Sequence, residues 1–154
     1  MKGKIEFGCD YLNIMRSLAW ADGEWDPVED AAAKMFLLSW GFSLEEIDEA
    51  NALYLERLNK DALESDLYKV AKRIADHIAQ DKAAQDRLVT ELAAVGAIDR
   101  DVTGEEREFV EWFQHLLDMR PSEFAALCIQ GEALAIALNY FGDAYADRRS
   151  ASTN

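Results

Sequence analysis

The stretch Asp22-Gly23-Glu24-Trp25-Asp26-Pro27-Val28-Glu29 places four carboxylates within eight residues of a 154-residue chain. A second acidic stretch, Asp99-Arg100-Asp101-Val102-Thr103-Gly104-Glu105-Glu106, follows with a similar layout. Oxygen donors crowded this closely suit a hard cation, which makes Ca²⁺ the favoured ion and Mg²⁺ or Mn²⁺ the next. The two histidines, His77 and His115, have no Cys or second His at zinc-site spacing. That argues against a soft or imidazole-bound transition metal.

The carboxylates are of two kinds. Asp26 is a favourable N-cap, Pro27 suits the first helical position, and Glu29 lies three residues after the cap, as a capping box requires. Thr103 and Glu106 repeat that pairing. Each cap stabilises by about 1 kcal/mol, so these residues have a structural explanation without any ligand. Asp22, Glu24, Asp99 and Asp101 have none. They follow the expected C-terminal ends of helices, where the helix dipole disfavours a carboxylate by about 0.3–1 kcal/mol. A cation held there would relieve both that mismatch and the mutual repulsion, and free carbonyls at the helix end would add oxygen ligands.

Asp22, Glu24 and Asp26 match positions one, three and five of an EF-hand loop, and Asp99, Asp101, Thr103 and Gly104 match one, three, five and six. Position twelve of that loop is a bidentate Glu, but Ala33 and Val110 stand there, so neither stretch is an EF-hand. Catalysis finds little support. The chain has no Gly-rich phosphate loop and no nucleophile elbow, and no Ser/His/Asp or Cys/His set can be placed together. The expectation is a protein that is not an enzyme.

The elements that position the acids read as helices throughout. Phe7, Tyr11, Ile14 and Leu18 mark one face of a first helix, from about residue 5 to 21. A second follows the Asp26 cap, with Val28, Ala32, Met35 and Leu38 expected inward, and stops near Trp40-Gly41. Ser43-Leu44-Glu45-Glu46 is another capping box, opening a third helix with Ile47, Ala50, Tyr54 and Leu58 on one face. The fourth helix, about 65 to 80, carries Leu67, Val70, Ile74 and Ile78. The fifth begins near Asp81 with Leu88, Leu92 and Val95 inward, and the sixth follows Thr103 with Phe109, Trp112, Phe113 and Leu116. Pro121 starts a short helix through Ile129. Gly131 then separates it from a closing helix at about 132–146, which is apolar on most sides and therefore expected to be central and buried. Residues 148–154 read as a polar tail.

No segment alternates with a period of two. The expected fold is all-α, a single domain over residues 1–147 with seven or eight helices. At a separation of 77 residues Asp22 aligns with Asp99 and Glu29 with Glu106. Met15 also meets Leu92, Leu18 meets Val95, Met35-Phe36 meets Trp112-Phe113, and Glu46-Ile47 meets Glu123-Phe124. The halves at about 5–60 and 82–130 thus read as an internal duplication that could pack about a pseudo-twofold axis.

The formal net charge of −14 makes nucleic acid an unsuitable partner, because phosphate binding needs clustered Lys and Arg. It suits cations or a basic protein surface instead. The N-terminus lacks a signal-peptide pattern and no apolar run is long enough to span a bilayer, so a cytoplasmic location is expected, with any membrane association made through a partner. Cys9 and Cys128 lie in apolar helical patterns and read as reduced thiols.

The run from Ala21 to Glu29 resembles the A-D-G-E-hydrophobic-D-P-x-E signature of the tellurite-resistance TerB-like family, with the resemblance extending from about Leu12 to Phe124. The second stretch departs from it: Ile98 and Arg100 replace Ala and Gly, and Thr103-Gly104 replaces Asp-Pro. The resemblance implies a compact helical domain whose clustered acids bind divalent cations, in bacterial tellurite-resistance and stress-response systems. By motif position it marks Asp22, Asp26 and Glu29, then Asp99 and Glu106, with Glu24 and Asp101 secondary. Trp25 stands where the family carries an aliphatic residue and is expected to pack in the core. Two other readings stand beside a cation-binding domain. One is an acidic protein-interaction module without a metal site; the other is a subunit whose partner covers apolar surface near the C-terminus.

Overall fold

Phe7, Tyr11, Ile14 and Leu18 are all buried, on a first helix α1 (Lys2–Ala19). A computed structural model describes residues 2–19, 27–97 and 104–152, with side chains described over 3–18, 30–97 and 108–140. Among these residues the chain forms seven helices and no strand. After α1 come α2 (Pro27–Ser39), α3 (Leu44–Asn59), α4 (Leu67–His77), α5 (Lys82–Ala97), α6 (Gly104–Leu116) and α7 (Pro121–Ser152).

The helix punctuation follows local chemistry. Ser43 caps α3 with a complete capping box: its hydroxyl accepts from the Glu46 amide, and the Glu46 carboxylate accepts from the Ser43 amide. Asp66 caps α4 by accepting from the Tyr68 amide. At the end of α2, Gly41 takes a φ of 94°, and the amides of Gly41 and Phe42 reach back to Leu38 O and Leu37 O. The same closure recurs 77 residues later. Asp118 has a φ of 52°, and the amides of Asp118 and Met119 donate to His115 O and Gln114 O. Both ends satisfy carbonyls that a helix terminus would otherwise leave free.

α1 is the central element, packed against α2, α3, α4 and α5. Lys4 bonds Glu46, a Cβ on Gly8 would meet the Ala50 Cβ at 2.9 Å, and Arg16 lies over the Tyr54 ring. From the end of α3, Arg57 reaches back to Glu6 on the first half of α1 at 2.7 Å. α5 and α7 pack through a comparable set of contacts: Lys82 bonds Glu123, and Gly131 sits against Thr90, Ala93 and Ala94. Small residues permit the close approach in each pair. α4 bridges α1 and α6.

Four expectations need correction. Gly131 does not divide two helices, because α7 runs unbroken from Pro121 to Ser152, through the expected tail at 148–152. Gly131 is there for contact with α5. The closing segment is not a central helix either. α7 buries Phe124, Leu127 and Ala135 toward α5, while Ile129 (65%), Ile136 (72%) and Tyr140 (71%) are exposed on the other side. An all-round apolar pattern here marks two faces rather than full burial. On α2 the inward face is Ala32, Ala33, Phe36 and Leu37, and Met35 and Leu38 are exposed. α2 holds a run of consecutive apolar residues, so the sequence admitted more than one stripe, and packing on α1 and α5 selected the other. Leu58, expected on the inner face of α3, is likewise exposed at the last turn.

Candidate functional site

Each acidic stretch begins after the last described residue of one helix and runs into the first turn of the next. α1 ends at Ala19 and α2 begins at Pro27, while α5 ends at Ala97 and α6 begins at Gly104. Asp22, Glu24, Asp26, Asp99 and Asp101 lie outside the described residues, as does Trp25. Glu29 and Glu106 occupy the first turns of α2 and α6, with side chains outside the described set. Among the described residues no three His, Cys, Asp or Glu side chains converge on a point that could hold a metal.

What the structure does show is the frame around the first stretch. Arg16, on the last turn of α1, donates through Nε to Asp30 Oδ1 at 3.0 Å, joining the end of α1 to the start of α2. Lys34 holds the other Asp30 oxygen at 3.3 Å. The Asp30 carboxylate is thus committed to two cations and is not a free metal donor. The Arg16 guanidinium lies 4.6 Å from the Tyr54 ring centroid on α3, so one side chain ties three helices. Only 8% of Arg16 is exposed, and its Nη1 is buried with no hydrogen-bond acceptor among the described residues.

A second polar centre lies between the helices that lead into the two acidic stretches. Glu91 of α5 is buried, and its Oε1 accepts from Tyr11 Oη at 2.9 Å and from Trp40 Nε1 at 2.6 Å. Its Oε2 accepts from Arg87 Nε at 3.1 Å, and Arg87 stacks over Trp40. Burial pushes the Glu91 carboxyl above the usual carboxylate range, opposed by the bonds from Trp40, Arg87 and Tyr11. Burial, with Glu91 beside it, raises the Tyr11 phenol well above its ordinary value. A third polar link is Asp10, buried on α1 and held by both Arg73 Nη2 at 2.8 Å and Arg73 Nε at 3.0 Å.

Sequence reasoning passed over these centres, although a signal existed. Glu91 falls within the Leu88, Leu92, Val95 stripe, and Asp10, Asn13 and Arg16 interleave the stripe of α1. A charged residue on a core-facing stripe is expected to have a buried partner.

The remaining candidates are placed plainly. His77 stacks on Phe7, with ring centroids 4.7 Å apart, and His115 is exposed on α6. Cys9 and Cys128 are free thiols, and burial pushes the Cys128 thiol up to about 11. On α3, Glu45, Asp48 and Glu49 are exposed beside the exposed Leu44 and Leu55. None of the three acids forms an ion pair among the described residues. No described helix is long and apolar enough to cross a membrane.

A family model described as tellurite resistance protein TerB matches residues 9–128, a span that contains both acidic stretches. Searches of curated proteins and of solved structures gave no match.

Proposed function

Starting from the fact that the chain belongs to the TerB tellurite-resistance family, we propose that it is a non-enzymatic, divalent-cation-binding accessory domain of a stress-response system. The observation that carries this is the position of Asp22 and Glu24, and of Asp99 and Asp101, between the C-terminal end of one helix and the start of the next. Carboxylates there are unfavourable without a positive partner, and helix-end carbonyls offer further hard donors. An all-oxygen set suits Ca²⁺ first, then Mg²⁺ or Mn²⁺. Asp22 and Glu24 would supply charge, with Asp26 and Glu29 combining capping and coordination. Asp99, Asp101 and Glu106 form the less faithful second copy. The matching helix closures at Gly41 and Asp118, and the close glycine contacts of α1 with α3 and of α7 with α5, support reading the halves as a duplication.

Calorimetric titration of chelator-stripped protein with Ca²⁺, Mg²⁺ and Mn²⁺ tests the proposal, alongside Asp22→Asn and Asp99→Asn variants. Binding weakened by Asp22→Asn supports it; binding unaffected by both substitutions puts the ion elsewhere. Absence of binding at millimolar cation favours the second reading, an acidic interaction module acting in the cytoplasm on a basic protein surface. A specific observation speaks for that alternative. Glu45, Asp48 and Glu49 on α3, which form no ion pair among the described residues, lie on a helix that also exposes Leu44 near its start and Leu55 and Leu58 near its end, a mixed surface suited to a Lys- or Arg-rich partner.

A further inference from the structure

α7 carries two apolar faces, and the core uses one of them. Phe124, Leu127, Gly131 and Ala135 form the buried face. On the other side, Ala126, Ile129, Ala133 and Ile136 follow one another at helical steps, and Tyr140 continues the line. Alternating steps of three and four residues are the spacing of a coiled-coil seam. At about 100° per residue the seam and the buried face are centred roughly half a turn apart, so the seam looks away from α5. All five of its residues are exposed.

The seam is also where the charge of the chain is thinnest. Glu132 is the only charged residue from Phe124 to Tyr140, in a protein of net charge −14. Two copies repel one another across their acidic surfaces and least across this face. A basic partner gains nothing here and is drawn instead to acidic faces such as that of α3. The stripe is self-complementary as well, as an interface about a twofold axis must be. With the axis at Ala133, an antiparallel copy sets Ala133 on the partner's Ala133, Ile129 beside the partner's Ile136, and Ala126 beside the partner's Tyr140, small residues against large ones.

We propose that the outer face of α7 is the interface of a homodimer, in which two copies pair antiparallel along the seam from Ala126 to Tyr140. The exposed parts of Ile129, Ile136 and Tyr140, with the alanines between them, amount to roughly 500 Å² per copy. A total of about 1,000 Å² is at the low end for a specific interface, so the dimer is a weak, reversible one that forms with rising protein concentration.

Sedimentation equilibrium of the full chain tests the proposal. The wild type is expected to dimerise with a Kd of about 10 μM to 1 mM. Association is expected to strengthen as salt is raised, because salt screens the repulsion between two acidic copies. The neutral double variant Ile129→Gln/Ile136→Gln is expected to weaken it about tenfold or more, while Leu44→Gln, at the exposed start of α3, leaves it within about twofold. A wild type that stays monomeric up to about 1 mM overturns the proposal. So does a dimer that survives the double substitution, or one that weakens with salt, which is the mark of charge-driven pairing on another face. Cross-linking tests the orientation with Ile129 and Ile136 intact. In a Cys128→Ser background, Ala133→Cys is expected to form an intermolecular disulfide on mild oxidation. Ala126→Cys is not, since antiparallel pairing holds its two copies about 21 Å apart along the helix axis, and a disulfide needs Cα atoms within about 7 Å. A disulfide formed equally well by both variants, or by neither, overturns the antiparallel seam.

Discussion

Replacing Gly131 by Ala tests whether α7 is one helix held by close contact with α5. A Cβ at this position would lie 2.5 Å from Thr90 O, 2.6 Å from the Ala93 Cβ and 3.0 Å from the Ala94 N. Two of those atoms are backbone and the third is a methyl with no freedom to swing aside, so the helices must separate. Overpacking of this kind costs about 1–3 kcal/mol. Helix propensity acts in the other direction, since Ala is favoured over Gly within a helix by about 0.8–1 kcal/mol. The balance is a net loss of up to about 2 kcal/mol, with a Tm lowered by about 2–4 °C per kcal/mol for a chain of this length. Gly3→Ala is the control, because nothing lies within 4 Å of its Cβ; there only the propensity gain operates, reduced by fraying at the helix end. Urea and thermal unfolding of both variants measure the difference. If Gly131→Ala matches or exceeds the wild type in stability, Gly131 is not a packing glycine and the correction to the closing helix loses its physical basis.

Two further perturbations probe the polar frame. Glu91 has a folded pKa raised mainly by burial, so its contribution to stability is full below the unfolded value and is lost as pH rises through the folded value. Glu91→Gln should therefore gain on the wild type in urea midpoint as pH rises from about 4 through the folded pKa; a difference constant across that range would refute this. Glu91→Leu instead strands Tyr11 Oη and Trp40 Nε1, at about 1–3 kcal/mol for each buried donor, measured as loss of unfolding free energy at neutral pH. Ser43→Ala removes the N-cap of α3 and should cost about 1 kcal/mol. It should also shift the Glu46 titration in NMR, since the Ser43 amide and then Lys4 hold that carboxyl low; an unchanged Glu46 titration would show that the capping geometry survives without the hydroxyl.

Much of the fold was legible because local rules agreed with one another. The core stripes of α1 and α5 appear in the sequence at helical spacing, and the Gly41 turn and the Ser43 box mark the end of α2 and the start of α3 by chemistry that acts within a few residues. The errors fall where that locality ends. Val28 to Leu38 is apolar on more than one side, so only tertiary partners could choose Ala33, Phe36 and Leu37 over Met35 and Leu38. Gly131 is a helix breaker by propensity and a contact residue by packing, and the deciding neighbours lie on α5 about forty positions earlier. Arg87 pairs with Glu91 from four residues away on α5, but Tyr11 and Trp40 reach Glu91, and Asp30 and Tyr54 reach Arg16, from other elements, so those pairings were not readable, even though a charge on an apolar stripe was visible.

The same distinction bears on the acidic stretches. Asp26 and Glu29 have a reading that depends only on three neighbouring residues. Asp22 and Glu24 have no local stabilising role, so their reading depends on what charge stands nearby. The second stretch carries Arg100 between its two acids, a neutralising charge placed in the sequence itself, which makes the first stretch the stronger candidate for a bound ion.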